Sequence, residues 1–303
     1  MSDSRQVVVL ANPYSGKGNN QPRVAALERA LAARGLSMRA VWDLGERKAL
    51  LGEPGVGEQY RCVVSAGGDG SMAGVVNDLG RGGDTTRVPI AMLPLGNENL
   101  FAKAFGHHRG IDALAAAIDT LDTRTIDVGE ANGQLFTLMA SAGFDSDVVG
   151  RVDTWRRATR GNGLKRVNRL SYARPIGVAL AGYRYPMVTL TTDAESVSGA
   201  HAFVFNINRY GGGLPIGSHA DPADGLLDWV VFEKPGLIRL ARYGLSAYLR
   251  RHLKRGDVKH GRASEITLTS DAGALPIQTD GDPCVMTPAT IRVRPGAMRV
   301  VLA

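Results

Sequence analysis

Short apolar runs alternate with amphipathic segments through the first 127 residues. The predicted strands and helices, in chain order, are Val7–Leu10, Pro22–Ala33, Arg61–Ser65, Met72–Leu79, Val88–Leu93, a helix from about Leu100, and Ile111–Leu121. Short β-branched strands that alternate with helices build parallel sheets with helices packed on their faces. We therefore predict that residues 1–127 form an α/β domain with a parallel sheet.

The pattern changes after Asp127 to short β-rich segments that are separated by Gly, Pro or Asp, namely Leu135–Ala140, Met187–Thr192, Ala202–Asn208, Leu227–Phe232, Glu265–Thr269 and Thr290–Val293. This texture predicts an antiparallel β domain over residues 128–295. One helix is predicted within it, Leu237–Leu253, with Leu240, Leu245, Tyr248 and Leu249 facing a core. The last strand, in residues 296–303, is expected to pack back on the first domain.

The 303 residues carry a formal net charge of +7, with a pI near 9.6. This bias favours an anionic partner. Two distant cysteines give neither a metal-binding spacing nor a disulfide framework. No apolar run is long enough for a transmembrane helix, and the N-terminal residues lack the features of a secretory signal, so we expect a cytoplasmic protein.

Two clusters of basic residues are candidates for docking on an anionic membrane surface, where each exposed charge adds up to ~1 kcal/mol. The first lies in Arg151–Arg174 and the second in Arg250–Arg262. An ordinary solvated face is the alternative for both. Neither cluster has an aromatic stacking platform of a known type, so nucleic acid is not an expected partner.

A glycine-rich loop, Ser65-Ala-Gly-Gly-Asp-Gly-Ser71, follows one predicted strand and precedes a helix. Its glycines, Gly67, Gly68 and Gly70, allow close approach of a ligand, and the helix N-terminus favours a phosphate. A bare pyrophosphate would be repelled by Asp69 unless a metal intervened. The loop therefore indicates a Mg²⁺-nucleotide rather than a dinucleotide.

Two further loops end predicted parallel strands. Ala11–Gly18 is not a P-loop, because the first glycine is missing and Gly18 stands where Ser or Thr should follow Lys17. Asn12, Ser15 and Gly16 could still donate to a nucleotide, although a simple turn is the alternative. The third loop, from Leu93 to Gly106, contains Asn97 and Glu98. Three such loops at the same edge of a sheet predict one ligand site.

These residues resemble a known family, the diacylglycerol kinase catalytic-domain family, which includes bacterial lipid kinases and the sphingosine and ceramide kinases. The similar segments, in the family's order, are Asn12-Pro-Tyr-Ser-Gly16, Gly67-Gly-Asp-Gly-Ser71, Gly96-Asn-Glu-Asn-Leu-Phe-Ala102, Ile126-Asp-Val-Gly129, Gly143-Phe-Asp145, Tyr210-Gly-Gly-Gly213, Ala223–Asp228 and Asp280-Gly-Asp-Pro283. The ordered set spans nearly the whole chain and is more specific than any single motif.

The resemblance implies an N-terminal nucleotide-binding α/β domain, a C-terminal β-sandwich and an active site between them. It implies that ATP phosphates bind at Gly67–Ser71 and that Asp69 acts on Mg²⁺ through water. Asp280 matches the family's proposed general base. Asp282 takes the place of the family's acidic partner, shortened by one methylene. A Mg²⁺ site reported in some members maps to Asp221, Asp224 and the Leu226 carbonyl.

The family's Thr and Asp in its third loop are replaced here by Asn97 and Leu100, which puts rate and substrate choice in question. The predicted function is ATP- and Mg²⁺-dependent phosphorylation of a lipid hydroxyl, with diacylglycerol or a related lipid as acceptor. The alternatives are a kinase of another acceptor such as NAD and a catalytically silent nucleotide- or lipid-binding regulator. For Asp280-Gly281 and Asp224-Gly225, plain turns are the alternative interpretation. The sequence leaves the oligomeric state open, with a homodimer as one option.

Overall fold

The computed structural model describes residues 4–16, 20–53, 55–83, 85–86, 88–160, 182–217 and 219–303, with the backbone alone at 155–160 and 284. The chain divides into two compact units. The first comprises Met1–Asp127 with Pro295–Ala303, and the second comprises Val128–Arg294.

The first unit alternates strands and helices. Its elements are β1 (Gln6–Ala11), α1 (Gln21–Ala32), β2 (Ser37–Val41), α2 (Leu44–Gly52), α3 (Val56–Gln59), β3 (Cys62–Gly67), α4 (Asp69–Arg81), β4 (Ile90–Pro94), α5 (Leu100–Ala104), α6 (Ile111–Thr120), the start of β5 (Thr123–Ala131) and the end of β16 (Ala289–Val301).

The strands of this unit form a parallel sheet in the order β2-β1-β3-β4, with the end of β16 beside β4 through Val300 and Ile90. All six residues of β3 are buried, as expected for a central strand covered on both faces. α1 and α6 pack against one face, with Leu27 and Ile118 fully buried in that core. The α/β domain with a parallel sheet is thus confirmed.

A buried histidine fastens β4 to the end of β16. His107 Nδ1 accepts the Met92 N–H at 3.2 Å, so its Nε2 carries the proton and donates to the Val301 carbonyl oxygen at 2.7 Å. Burial lowers the pKa of His107 to about 4. The imidazole is therefore neutral at physiological pH, with both nitrogens satisfied.

The second unit is built mostly from strands. Its elements are the end of β5, β6 (Gln134–Phe136), β7 (Met139–Gly143), α7 (Phe144–Arg160), β8 (Val188–Thr191), β9 (Ser196–Gly199), β10 (His201–Phe205), β11 (Leu227–Phe232), α8 (Leu237–Tyr248), β12 (Val258–Ala263), β13 (Glu265–Ser270), β14 (Pro276–Thr279), β15 (Asp282–Met286) and the start of β16.

Two antiparallel sheets pack face to face in this unit. The first sheet has the strand order β12-β11-β10-β7-β14-β15. In the second sheet β13 lies between β16 and β8, and β8 also pairs with β9. Their inner faces share one core, to which the first sheet contributes Val204 and Trp229 and the second Leu268 and Ile291. The fold is a β-sandwich, and the predicted antiparallel domain is confirmed.

Several elements were absent from the sequence prediction. β2 is an edge strand in which only Val41 is buried, so it has no apolar run to mark it. α2, α3 and the 17-residue α7 were also not predicted. The predicted strand Leu135–Ala140 is two strands, since the N–H groups of Thr137 and Leu138 donate to a carboxylate instead of to a neighbouring strand.

The prediction for the helix at Leu237 was wrong in its orientation and its end. Leu245, Tyr248 and Leu249, which were predicted to face the core, are 60%, 74% and 52% exposed. Tyr243 and Ala247, one turn apart, face the core instead. Apolar residues cover two faces of this helix, so the pattern alone could not choose between them.

Among the described residues, no helix is both long and apolar enough to cross a membrane.

Candidate functional site

Two polar loops of the first unit meet where β1 and β3 end. Asn12, which follows β1, donates its side-chain N–H to Ser71 Oγ at 2.9 Å, and the hydroxyl groups of Ser15 and Ser71 are 3.3 Å apart. The Asn12 backbone N–H donates to the Ala66 carbonyl at 3.0 Å, which extends the pairing of β1 with β3 into the loops. The predicted loop residues Asn12, Ser15 and Ser71 therefore lie together at the carboxyl edge of the sheet.

Glycines let the third loop, after β4, pack directly on these two. A Cβ on Gly96 would lie 2.5 Å from the Gly68 Cα, and a Cβ on Gly16 would collide with the Leu95 carbonyl oxygen. Gly16 also has a φ of +59°, a conformation that favours glycine. Backbone thus touches backbone at this point, and the exposed Gly70 opens the first turn of α4 to solvent.

Asp69 joins the glycine loop to the start of α5. Its Oδ1 accepts the Phe101 N–H at 3.0 Å, and the Leu100 N–H also donates to this carboxylate. Burial raises the pKa of Asp69, while these two donors oppose the rise. The carboxylate therefore fixes α5 relative to α4, beside the glycines that would receive phosphate.

Asn99 is a loop residue that was not predicted to belong to the site. Its side chain accepts the Gly96 N–H and donates to the Gly96 carbonyl, both at 2.9 Å, from a left-handed backbone conformation with φ 51°. Of the predicted residues beside it, Asn97 is exposed and the Glu98 carboxylate lies 3.9 Å from the Lys103 ammonium group. The signal in the sequence was the Asn itself, a residue type that tolerates positive φ.

In the second unit, Asp280 and Gly281 form the two-residue turn of the hairpin β14–β15, with φ of 50° and 88°. The Asp280 carboxylate is buried and accepts four hydrogen bonds, from the N–H groups of Thr137, Leu138 and Met139 and from the Thr137 hydroxyl, at 2.6 to 3.0 Å. Burial raises its pKa to about 6 against the effect of these donors. Asp280 and Gly281 therefore form a hairpin turn, and the four donors fill the acceptor positions of the carboxylate.

A second network, which is half-buried and centred on Asp145, was not predicted. Its carboxylate accepts from Ser141 Oγ and the Tyr210 hydroxyl at 2.5 Å each, and from Gln278 Nε2 at 3.1 Å. Burial and the nearby carboxylate raise the pKa of Tyr210 well above its ordinary value. Gln278 in turn accepts the Gly281 N–H at 2.8 Å, which connects this network to the hairpin turn.

Comparison with protein families decides the relationship. Residues 6–131 match the model of the diacylglycerol kinase catalytic domain, and residues 139–302 match the YegS C-terminal NAD kinase β-sandwich-like domain. The chain belongs to the diacylglycerol kinase catalytic-domain family. It is a phosphotransferase with an alcohol acceptor, a kinase of the lipid type.

Relatives of this kinase are similar over nearly their full length. A protein from Pseudomonas aeruginosa strain PAO1, named "Probable lipid kinase YegS-like", is 28% identical, with 100% of this chain and 95% of the relative covered. A "Diacylglycerol kinase" from Mycobacterium tuberculosis strain H37Rv is also 28% identical, with coverage of 98% and 94%. A crystal structure of a diacylglycerol kinase from Bacillus anthracis has the same fold, with a TM-score of 0.76 at 20% identity and coverage of 100% and 99%.

The predicted magnesium site at Asp221, Asp224 and Leu226 does not fit a metal ion. The Arg262 guanidinium contacts the Asp224 carboxylate and lies 3.5 Å from Asp228. Asp224 Oδ1 also accepts the Leu226 N–H at 3.0 Å, as in a simple turn. A side-chain cation thus already neutralises this carboxylate. Within the described ranges, no group of three or more His, Cys, Asp or Glu side chains could hold a metal.

Some side chains of the two basic clusters form ion pairs and others are exposed. In the first, Arg151 pairs with Asp147 at 2.6 Å, and its other basic side chains lie outside the described residues. In the second, Arg251 and Lys254 are exposed, while Arg255 pairs with Asp257 at 2.9 Å.

Proposed function

We propose that this kinase transfers the γ-phosphate of ATP to the hydroxyl group of a membrane lipid, diacylglycerol or a close relative, in a Mg²⁺-dependent reaction. The observation that carries the proposal is the meeting of three glycine-containing loops at the carboxyl edge of a parallel sheet, beside the N-terminus of α4. Open α/β sheets bind ligands at this edge, and helix N-termini favour phosphate. The names of the relatives support the lipid acceptor.

In this proposal the backbone of Gly67, Gly68, Gly70 and Ser71 holds the phosphates. Where Gly68 and Gly96 touch, a side chain would fill the space, so the loops can present N–H groups at close range. Asn12 and Ser15 hold the Ser71 hydroxyl in place. Gly16, Asn97 and Glu98 border the same edge and complete the proposed nucleotide site.

Asp69 is the proposed carboxylate for magnesium. Mg²⁺ is commonly held by one or two carboxylates together with substrate phosphates, so a single Asp beside the phosphate loop fits a metal that arrives with the nucleotide. When bound, the ion neutralises charge that develops on the transferred phosphoryl group. Asp69 is already anchored to α5, so its position is fixed before the nucleotide binds.

In this proposal a carboxylate of the hairpin turn accepts the proton that the lipid hydroxyl loses. A pKa of about 6 suits Asp280 to work near neutral pH, but one of its four donors must be released before it can accept a proton. Asp282, two residues on, is exposed. We propose that Asp280 sets the shape of the turn and that Asp282 receives the proton.

The test is transfer of labelled phosphate from ATP to diacylglycerol, monoacylglycerol and sphingosine in mixed micelles, with NAD as a further acceptor. Labelled product on one lipid class, dependent on Mg²⁺, is expected. Label on NAD alone would replace the lipid acceptor with a nucleotide. Binding of ATP without product on any acceptor would indicate a silent regulator.

Two glycine variants test the phosphate loops in the same assay. Gly16→Ala introduces a Cβ that collides with the Leu95 carbonyl oxygen, so the loops must separate, and a displacement of this size lowers turnover by about 100-fold. Gly83→Ala is the matched control, because Gly83 also has positive φ but has open space around its Cβ. Equal activity of the two variants would remove the loop contact from the site.

A further inference from the structure

The core contacts of α8 fix which face of this helix points outward. The Tyr243 ring centroid lies 4.7 Å from that of Phe232, and its hydroxyl donates to the Asp257 carboxylate at 3.1 Å. The Lys234 N–H donates to the same hydroxyl at 3.1 Å. Ala247, one turn after Tyr243, is fully buried. The helix is therefore held by one narrow face, and its other positions are available to solvent.

The outward face of α8 is apolar. Of the eight large apolar side chains that are exposed among the described residues, five belong to α8 or the residue after it. They are Leu237 (48% exposed), Ile238 (75%), Leu245 (60%), Tyr248 (74%) and Leu249 (52%). At 100° per residue these positions span an arc of about 120°. A continuous exposed stripe of this kind marks an interaction surface rather than scattered surface residues.

The charged residues in the chain segment that forms this stripe have one sign. From Lys234 to Gly256 the sequence contains no Asp or Glu, and its basic residues are Lys234, Arg239, Arg242, Arg250, Arg251, Lys254 and Arg255. Arg239 and Arg242 are exposed beside the stripe on the helix itself. The partner of this surface must therefore be both apolar and anionic.

Two more arginines, Arg250 and Arg251, follow α8, and backbone hydrogen bonds at the end of the helix fix their backbone position. Arg250 adopts φ 55°, the Arg250 N–H donates to the Ala247 carbonyl and the Arg251 N–H to the Ser246 carbonyl, at 2.9 and 2.8 Å. This is a Schellman motif, which ends the helix sharply. The helix dipole favours cations at this end. The chain thus leaves the apolar stripe directly into an exposed Arg–Arg pair.

We propose that α8 docks on an anionic phospholipid bilayer, with its axis along the surface, its apolar stripe at the boundary of headgroups and acyl chains, and its arginines on lipid phosphates. An amphipathic helix with aliphatic residues on one side and arginines beside them has the composition of interfacial membrane helices. Tyr248 suits this boundary because its ring is apolar and its hydroxyl is polar. The inference deepens the proposed function and rests on it only in that a lipid acceptor lies in such a membrane.

A second copy of the chain is a poorer occupant. Symmetric dimers bring the same patch of both subunits together, so the interface would contain Arg239 and Arg242 twice and no carboxylate from Lys234–Gly256. Like charges at an interface core are unfavourable, whereas lipid phosphates would neutralise them. The charge of the patch therefore favours the bilayer.

Binding of the full chain to vesicles tests the proposal without nucleotide or turnover. The vesicles contain phosphatidylcholine alone or with roughly one-third phosphatidylglycerol. The expected result is binding to the anionic vesicles that weakens as salt rises, since exposed charges are screened. No binding to either vesicle, or equal salt-insensitive binding to both, would overturn the proposal.

Variants locate the binding on the helix. Ile238→Asp with Leu245→Asp should lower the partition coefficient by at least about tenfold, because each buried aliphatic side chain accounts for about that factor. Leu44→Asp is the matched control, since Leu44 is 55% exposed on α2 in the other unit. The double variant Arg239→Glu with Arg242→Glu should make vesicle binding less dependent on salt. Arg29→Glu is the control, since Arg29 is exposed on α1 in the other unit. Helix variants that bind like the wild type would overturn the proposal.

A separate activity assay keeps the two proposals apart. Turnover is measured on a short-chain acceptor dispersed in water, where docking is not needed. The helix variants should keep this activity while losing vesicle binding. Vesicle binding through α8 without turnover on any lipid would uphold the docking surface and reject the proposed acceptor. Loss of the dispersed activity in the helix variants would mean that α8 serves the chemistry, which would overturn its assignment as a docking surface.

Discussion

At the scale of single residues, the role that we propose for Asp280 follows from its environment. The sequence offers an Asp-Gly pair, which favours both a hairpin turn and, through the family resemblance, a general base. The structure adds three backbone N–H groups from residues 137–139, about 140 positions earlier in the chain. No local pattern could reveal those donors, because they depend on how β6, β7 and β14 come together. Asp145 was missed for the same reason.

Substitution of the two turn carboxylates separates a structural role from a chemical one. Asp280→Asn places an amide N–H₂ against N–H donors that need acceptors, so unfolding should become easier by roughly 3 kcal/mol. Asp282→Asn changes an exposed side chain and should leave stability within about 0.5 kcal/mol. We expect it to lower kcat by about 100-fold, as for loss of a proton acceptor. Denaturant unfolding and initial rates measure both effects. A fully active Asp282→Asn would return the base role to Asp280.

At the scale of elements, prediction succeeded where one face of a segment is clearly apolar. β3 and β11 are buried along their whole length and were predicted nearly to their ends. β2 was not predicted because it is an edge strand with one buried residue. The wrong face of α8 was predicted to be buried, because apolar residues occupy two of its faces. Which of two apolar faces is buried depends on the partner, here Phe232 against Tyr243. That information lies in packing rather than in periodicity.

The contact between β4 and β16 through His107 makes stability depend on pH. Its folded-state pKa of about 4 lies below the unfolded value of about 6.5, so the unfolded state binds more protons between these values. His107 thus contributes about 3 kcal/mol to the free energy of unfolding. This contribution is fully present above about pH 6.5 and is lost as the pH falls toward 4. Denaturant unfolding at several pH values should show this loss. In His107→Gln that part of the slope should disappear, and an unchanged slope would refute the assignment.

At the scale of the whole molecule, the change of pattern near Asp127 predicted an α/β domain followed by an antiparallel β domain, and the family resemblance implied that the second domain is a β-sandwich. The structure divides the chain at Asp127 and again at Pro295, and so assigns the end of β16 to the first unit. The ordered set of motifs also led to the correct family. The magnesium ligands transferred from the resemblance do not fit here, since Arg262 occupies the carboxylate of Asp224. Order along the chain thus predicts fold and family better than it predicts individual ligands.

The assignment of nucleotide binding to the first unit can be tested by amide hydrogen exchange of the full chain with and without Mg²⁺-ATP. Some amides exchange only through opening reactions that release a bound ligand. A ligand that binds the native state slows the exchange of these amides, and the size of the effect depends on the ratio of ligand concentration to Kd. If the three loops hold the nucleotide, amides in residues 12–16, 67–73 and 95–101 should be protected first and most strongly. The sandwich hairpin, residues 276–286, should change little with nucleotide alone, because its turn is already fully hydrogen-bonded at Asp280. Adenosine, which lacks phosphates, is the control and should protect the loops much less. Strong protection confined to the hairpin would place the nucleotide on the second unit and overturn the assignment of the glycine loops.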